Sequence, residues 1–203
     1  MVKIIIASNN KNKVKEIKHI LGAKRMRVLS LAEAGFRKDI KETGETLAEN
    51  AAIKAREVSR KFRSSIIIAD DSGLEVDYLA KAPGVYSARF AGPQCSYTDN
   101  NKKLLKLMKG ASRKERNAAF RTVACVIFPG GKEEFVEGKV NGIIIQKEKG
   151  PNGFGYDPVF YLKKFRKTYA QMTLKEKNSV SHRAKAFKNA GKIIKKRLRL
   201  KSL

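Results

Sequence analysis

Apolar residues recur along this chain with two different periods, and each period predicts one kind of element. Lys3–Ala7 and Ser65–Ala69 are short apolar runs that indicate buried strands. Residues 14–21 place valine, isoleucine and leucine at helical spacing. Thr46 and Glu49 have the spacing of a capping box, which predicts a helix that runs to about residue 62. Strands and helices are therefore expected to alternate in this part of the chain.

The second half of the chain carries the signals of a hairpin. Phe120–Phe128 is followed by the turn residues Pro129–Gly131 and by a return strand at Glu134–Val136. A further strand is predicted over Gly142–Gln146, and a basic helix from about Ser181. Strands interleaved with helices, together with a hairpin, predict an α/β fold with a mixed sheet. Since no linker or repeat divides the sequence, residues 1–203 are expected to form one domain.

Charge narrows the choice of partners. The chain has 45 Lys+Arg against 19 Asp+Glu, a formal net charge of +26. This excess favours nucleic acid, anionic lipid or phosphorylated metabolites, although a lysine-rich proteome or adaptation to heat is an equally open explanation. Between Lys163 and Leu203 fifteen basic residues face one acid, Glu176. That segment fits either a solvated helix face or an edge that faces phosphate or nucleic acid.

Cysteine, histidine and apolar content set the expected compartment. Cys95 and Cys125 lack CxxC spacing, and two histidines are too few for a histidine-based metal cluster. No apolar run approaches the length of a membrane span, and the apolar residues that follow Met1 are too few for a secretory signal. We therefore expect a soluble, cytoplasmic protein with no membrane partner.

The first candidate site follows the first predicted strand. A strand that runs through small polar residues into a helix N-terminus presents backbone N–H groups and the positive end of the helix dipole to an anion. The segment consists of Ser8, Asn9, Asn10, Lys11, Asn12 and Lys13. Ser8 and Asn10 can donate hydrogen bonds to a phosphate, and Lys13 can supply a positive charge. The alternative is an ordinary capped helix start.

The second candidate site is the pair of acids at Asp70 and Asp71, which follow the second predicted strand. Ligand sites in α/β sheets lie beyond the carboxyl ends of the strands. Adjacent strand residues point to opposite faces, so both carboxylates reach one site only if the chain bends at Asp71, which Gly73 would favour. One acid could hold Mg²⁺ while the other acts as a base. The alternative is an Asx-type turn that closes the strand.

The third candidate site is the glycine-rich segment 150–158. Its three glycines would let the backbone approach a ligand closely, and Phe154 or Tyr156 could stack on a purine. A long turn with core aromatic residues is the alternative. A fourth site is suggested by His182 and Arg183, which could bond a base carbonyl or a phosphate unless they only cap a helix.

Taken in their order and spacing, these motifs resemble the inosine triphosphate pyrophosphatase family, which removes deaminated purine nucleotides. The resemblance covers nearly the whole chain and includes Glu42–Gly44, Glu49–Ala51 with Lys54, and Pro83–Arg89. It implies a two-lobed α/β fold with a long mixed central sheet flanked by helices, a cleft between the lobes, and a homodimer.

The resemblance also implies roles for single residues. Asp71 matches the family's general base and metal-binding residue, and Ser72 matches a substrate contact. Residues 8–13 match its triphosphate-binding segment, and Lys54 matches a lysine near the phosphates. The positions that hold the base and the phosphates are matched by Phe154, Gly155, Tyr156, Asp157, Lys177, His182 and Arg183.

One position departs from the family pattern and affects the expected metal site. Family members often carry a metal-binding acid immediately before the position of Glu42, and this chain has Lys41 there. Either Glu42 replaces that acid, or Mg²⁺ binding falls mostly on Asp71 and on the phosphates of the substrate.

The activity implied by the resemblance is hydrolysis of dITP, ITP or XTP to the monophosphate and pyrophosphate, by attack of water on the α-phosphorus. Donors such as His182 and Arg183 would bond the 6-carbonyl of the purine and leave adenine unpaired. Two alternatives remain open. One is a pyrophosphatase for other modified nucleotides, and the other is a basic nucleic-acid-binding protein. The enzyme itself is expected to bind nucleic acid weakly through the basic C-terminal segment.

Overall fold

The computed structural model describes residues 2–22 and 26–200. The chain divides into two compact units, and each unit collects residues from separate parts of the sequence. The first unit comprises residues 1–71, 122–138 and 182–203, and the second comprises 72–121 and 139–181.

Eight strands and five α-helices form within the described residues. The strands are β1 (Val2–Ile6), β2 (Met26–Ser30), β3 (Ile66–Val76), β4 (Pro83–Gly84), β5 (Asn117–Ile127), β6 (Glu133–Ile144), β7 (Phe160–Leu162) and β8 (Lys167–Thr168). The helices are α1 (Lys11–Leu21), α2 (Leu47–Lys61), α3 (Tyr97–Leu107), α4 (Leu174–Val180) and α5 (His182–Leu200).

The strands form one mixed sheet in the order β2-β1-β3-β5-β6-β7-β8, with β4 paired to β3. β1 pairs in parallel with β2 and with β3. The pairs β3–β4, β6–β7 and β7–β8 are antiparallel. The predicted α/β class with a long mixed sheet is thus confirmed.

Alternation along β1 and β3 produces the layers of the first unit. Ile4 and Ile68 belong to a core cluster with apolar residues of α1 and α5. Ile5 and Ile67, one position away on each strand, belong to a cluster with α2. Because successive strand residues point to opposite faces, the consecutive apolar residues Ile4–Ile6 and Ile66–Ala69 bury both faces of the sheet.

A separate core supports the second unit. Its largest fully buried side chains include Phe160 and Tyr169, whose ring centroids lie 5.1 Å apart. The ring of Phe120 lies 4.6 Å from that of Phe160, in an edge-to-face arrangement. Aromatic rings therefore pack together in one part of this core, which also contains leucine, valine, isoleucine and methionine side chains.

Most predicted elements of the sequence are confirmed, with small shifts at their ends. α2 opens on a complete capping box formed by Thr46 and Glu49, and α5 begins at His182. β5 and β6 are joined by the predicted turn, in which Gly130 and Gly131 have positive φ. The prediction of two separate strands after that turn was wrong, because β6 runs without interruption from Glu133 to Ile144.

Both cysteines are free thiols, in line with the absence of a disulfide pattern in the sequence. Among the described residues, no helix combines the length and the apolar character that a bilayer span requires.

Candidate active site

The segment that precedes α1 forms a helix cap. The Ser8 Oγ accepts a hydrogen bond from the Asn10 backbone N–H at 3.2 Å. Asn10 is the N-cap of α1, and its Oδ1 accepts from the backbone N–H groups of Asn12 and Lys13 at 3.0 and 3.1 Å. The capped helix start is therefore present, and it already uses part of the N–H groups considered for an anion. Phosphate binding by this segment stays a prediction.

The first unit gathers three acids and two lysines that we call the carboxylate cluster: Lys13, Glu42, Lys54, Asp70 and Asp71. Within it, Lys13 Nζ lies 3.3 Å from Asp70 Oδ2. On the other side of the cluster, Lys54 Nζ lies 2.6 Å from Glu42 Oε1 and 3.7 Å from Asp71 Oδ1. Asp70 and Asp71 are buried, and so is Lys54. Positive and negative groups thus alternate in a mostly buried site.

Asp70 and Asp71 occupy opposite faces of β3. Asp70 interacts with Lys13 of α1 and, at 3.5 Å, with Nε of Arg183 of α5. Asp71 interacts with Lys54 of α2 and accepts a hydrogen bond from Asn50 Nδ2 at 3.3 Å. The two acids therefore follow the alternation of the strand.

The prediction that β3 ends before the two acids was wrong, and so was the suggested bend at Asp71. The strand continues to Val76, and beyond the acids it pairs with β4, where Leu74 lies opposite Gly84. A Cβ at Gly73 would lie 2.4 Å from the Gly84 carbonyl oxygen. The close approach of β4 thus explains why a glycine is needed at position 73, and the chain does not bend there.

Burial and charge act on Asp71 in opposite directions. Burial raises the pKa of the Asp71 carboxyl above its usual value, while Lys54 and Lys13 pull it down without cancelling the rise. Burial also lowers the pKa of Lys54, but Asp71, Glu42 and Asp70 outweigh that effect and raise it. The site therefore keeps Lys54 protonated beside a carboxyl group that takes up a proton more readily than usual.

The residues considered for Mg²⁺ are arranged around a positive charge. Glu42 and Asp71 both lie near the Lys54 ammonium, and both offer the carboxylate oxygens that suit Mg²⁺. Lys41, which replaces the expected acid, is exposed. Within residues 2–22 and 26–200, no three acid, histidine or cysteine side chains form a complete ligand group. The donor set fits a metal that takes its remaining ligands from phosphates and water.

In the second unit, Asp157 organises a group that we call the Phe154 cluster: Tyr97, Asn101, Phe154, Asp157 and Lys177. Asp157 Oδ2 accepts a hydrogen bond from the Phe154 backbone N–H at 2.8 Å and one from Lys177 Nζ at 2.5 Å. Lys177 Nζ also lies 4.7 Å from the centroid of the Phe154 ring. One buried lysine therefore links the carboxylate to the aromatic ring.

The glycines of segment 150–158 serve mainly close contacts within the protein. A Cβ at Gly153 would lie 2.1 Å from Asp157 Oδ2, and one at Gly150 would lie 2.4 Å from the Ala170 carbonyl carbon. Both have positive φ. At Gly155, by contrast, no described atom lies within 4 Å of the Cβ position. Of the three glycines, Gly155 is the one with open space beside it.

The two aromatic residues of this segment have different surroundings. Tyr156 is buried in the core of the second unit, and its hydroxyl donates a hydrogen bond to the Ser87 carbonyl oxygen at 2.9 Å. The core-aromatic alternative therefore holds for Tyr156. Phe154 is partly exposed, and its ring lies beside Lys177 and Tyr97, so stacking on a purine stays a prediction for it. Ser72, the predicted substrate contact, is partly exposed as well.

His182 and Arg183 open α5 and are both 2% exposed. Arg183 Nη1 donates to Glu16 Oε2 of α1 at 2.5 Å, in a buried ion pair. A base contact by Arg183 would therefore have to use a different guanidinium nitrogen. His182 lies where the backbone of β6 passes closely, because a Cβ at Gly138 would be 2.1 Å from the His182 carbonyl oxygen.

Four residues of these sites were not assigned by the sequence reasoning. They are Glu16, Asn50, Tyr97 and Asn101. Asn50 belongs to a motif that carried the family resemblance, yet its contact with Asp71 could not be read from spacing. Asn101 Nδ2 donates to the Gly155 carbonyl oxygen at 3.2 Å, and the Tyr97 ring lies 6.0 Å from that of Phe154. For Glu16, Asn50 and Asn101, the sequence did offer a signal, which is an acid or an asparagine on the buried side of a helix.

The mixed sheet identifies this chain as an α/β protein whose first unit holds a mostly buried cluster of paired carboxylates and lysines. It belongs to the Ham1 family, whose sequence profile matches residues 4–193. The chain is 49% identical to a dITP/XTP pyrophosphatase from Thermoanaerobacter sp. (strain X514), over 97% of this chain and 98% of that protein.

Solved structures agree with this assignment. The Ham1 protein of Coxiella burnetii superposes with a TM-score of 0.86 at 33% identity, covering 97% of this chain and 100% of that one. The Staphylococcus aureus Ham1 protein gives a TM-score of 0.83 at 37% identity, covering 96% of this chain and 99% of that one. The family resemblance noted from the sequence motifs is therefore confirmed.

Proposed function

We propose that this chain hydrolyses the non-standard purine nucleotides dITP, ITP and XTP to the nucleoside monophosphate and pyrophosphate. The observation that carries the proposal is the near-full-length similarity to a dITP/XTP pyrophosphatase. The carboxylate cluster supports the chemistry, because it combines a buried acid with two lysines, one of them buried and the other mostly so. A triphosphate brings several negative charges, and lysines held in a buried site stabilise such charge more strongly than lysines in water.

Asp71 is the proposed general base. A carboxyl group whose pKa is raised by burial is a better base near neutral pH than an exposed one. It would accept a proton from water as the water oxygen attacks the α-phosphorus. The bond from that phosphorus to the oxygen bridging it to the β-phosphate then breaks, and pyrophosphate leaves. Lys13 and Lys54 would hold the phosphates through this step.

Mg²⁺ belongs to the proposal as the cofactor, with Asp71 and Glu42 as its protein ligands. When bound, it would supply positive charge to the phosphate oxygens. Asn50 would keep the Asp71 carboxylate oriented through its hydrogen bond. In the second unit, the Phe154 ring would stack on the purine while Lys177 stays close to that ring.

The family resemblance also implies a homodimer, the cysteine and apolar patterns of the sequence favour the cytoplasm, and we include both in the proposal. Light scattering tests the first part, because the dimer has about twice the 22.7 kDa mass of one chain. A monomer mass at working concentration would contradict it.

The deciding experiment measures pyrophosphate release from dITP, ITP, XTP, GTP, ATP, dUTP and dCTP in the presence of Mg²⁺. We expect release from the first three, and Asp71→Asn should lower kcat by about 10²–10⁴-fold because it removes the base. Asp39→Asn is the matched control, since Asp39 is an exposed acid of the same unit, and its kcat should not change. A pyrimidine preference would overturn the substrate assignment, and normal turnover by Asp71→Asn would overturn the proposed base.

A further inference from the structure

The solvent side of helices α1 and α5 carries a concentrated positive charge. Both helices bury their apolar residues in the same core cluster, so their polar sides face solvent on the same side of the sheet. α5 contains no acid, and α1 contains one, Glu16, which is buried and paired with Arg183. We call the exposed basic surface the α1–α5 face. Its residues are Lys11, Lys15, His19, Lys185, Lys188, Lys192, Lys195 and Lys196.

On the opposite side of the same sheet, acidic and basic side chains are mixed. The high lysine content of the chain therefore does not by itself explain the charge of the α1–α5 face. On α2, Glu57 pairs with Lys38 at 2.6 Å and with Arg60 at 2.8 Å. Arg56 of α2 pairs with Glu133 at 2.7 Å. Acids and bases are interspersed there, whereas α1 and α5 themselves carry no exposed acid. Beside the α1–α5 face, Lys18 pairs with Glu33 and Arg197 pairs with Glu134, and both acids come from other elements.

We propose that the α1–α5 face binds the phosphate backbone of double-stranded nucleic acid without sequence preference. The exposed lysines of α5 recur on one side of the helix from Lys185 to Lys196, a distance of about 16 Å at ~1.5 Å per residue. A duplex carries one negative charge per ~1.7 Å of its axis, so this row meets several phosphates. Lys11 and Lys15 extend the contact onto α1.

The composition of the face favours a duplex over the other polyanions. Single-strand binders stack bases on aromatic rings, and this face exposes no Phe, Tyr or Trp among its described residues. A membrane-surface helix needs an apolar side that enters the lipid. In α5 that side is buried, because Phe187 and Ile194 are both 0% exposed. The backbone phosphates of a duplex require only the lysines that the face offers.

Fluorescence anisotropy of the full chain with a DNA duplex of about 20 base pairs, roughly two helical turns, tests the proposal. With about five phosphates neutralised, the logarithm of the binding constant should fall with the logarithm of salt concentration at a slope of about −4 to −5. That slope corresponds to a loss of roughly 10²–10³-fold in affinity between about 50 and 200 mM salt.

A matched pair of variants separates the face from net charge. The combined change Lys188→Glu, Lys192→Glu and Lys195→Glu should weaken duplex binding by about 100-fold or more and reduce the steepness of the salt slope by about 2–3. The control changes Lys102, Lys106 and Lys109 to Glu. These three lysines are exposed, have the same spacing in the sequence as the first set, and lie in the second unit. This control should weaken duplex binding by about threefold or less, because it alters only the long-range electrostatic field.

Any of the following outcomes would overturn the proposal. Equal losses in the two variants would mean that net charge alone attracts the duplex. Tighter binding to single-stranded RNA of the same length, or binding to anionic lipid vesicles without duplex binding, would assign the face to another partner. Thermal unfolding and dITP turnover of both variants establish that they fold, and neither substitution set touches the residues proposed for catalysis.

Discussion

At the scale of single residues, Asp71 depends on neighbours that come from a different part of the chain. Its Oδ2 accepts from Asn50 Nδ2, and the Asn50 Oδ1 in turn accepts from the Gly44 backbone N–H at 2.8 Å. One fully buried carboxamide therefore connects the Glu42–Gly44 segment to the proposed base. On α2, Asn50 therefore holds Asp71 and the backbone at Gly44, while Lys54 of the same helix bonds Glu42.

We predict that Asn50→Ala lowers kcat by about 10–100-fold with little change in KM, because partners that orient ligating or reacting groups typically contribute this much. Steady-state kinetics with dITP measure the effect. Asn117→Ala is the control, since Asn117 is exposed and its side-chain amide donates a hydrogen bond to the nearby Lys114 carbonyl oxygen. A fall in the melting temperature with kcat unchanged would show that Asn50 is merely structural.

The sequence identified some of these residues and missed others for a definite reason. Asp71 and Lys54 were found because they belong to motifs with a fixed spacing. The Arg183–Glu16 pair was not found, because its members are 167 positions apart and only packing of α5 against α1 brings them together. Burial of Tyr156 was likewise invisible in the sequence, where it and Phe154 offered equivalent rings.

At the scale of elements, backbone contacts explain two departures from the predicted strands. β3 continues past the two acids because β4 and neighbouring strands supply hydrogen-bonding partners along its length. β6 continues through Gly138, where the absence of a side chain admits the first turn of α5. In both cases a glycine that would indicate the end of a strand when only nearby residues are considered instead allows a neighbouring element to pack closely against the strand.

Gly138→Ala should therefore destabilise the protein by about 1–3 kcal/mol, because overpacking a tight contact typically costs this much. The new Cβ would lie 2.1 Å from the His182 carbonyl oxygen and 2.6 Å from the Ala186 backbone nitrogen. Chemical denaturation measures the change. In the control Gly110→Ala, the nearest atom is the Tyr78 hydroxyl at 3.6 Å, so stability should stay the same or rise slightly. Equal stability of the two variants would contradict the packing argument.

At the scale of the whole molecule, the net charge of +26 opposes the compact state by self-repulsion. We predict that the melting temperature rises between about 10 and 150 mM salt, as the screening length falls from roughly 30 to 8 Å. A gain of about 1 kcal/mol in the free energy of unfolding would raise the melting temperature by about 2–4 °C in a protein of this size. The Lys102, Lys106 and Lys109 to Glu variant should respond less to salt, since its net charge is lower by six. A melting temperature that falls with salt would mean that attractive ion pairs dominate.

The sequence by itself determined β1, α1, α2, the β5–β6 turn, α5, the α/β class and the family, because periodicity, caps and motif spacing depend on residues close together in the chain. Tertiary structure decided which face each acid of β3 occupies, which helix supplies its partner, and where the excess lysines collect. Those outcomes depend on contacts between residues far apart in sequence. Of the fifteen basic residues between Lys163 and Leu203, eight belong to α5, and five of these are exposed lysines on a helix that contains no acid.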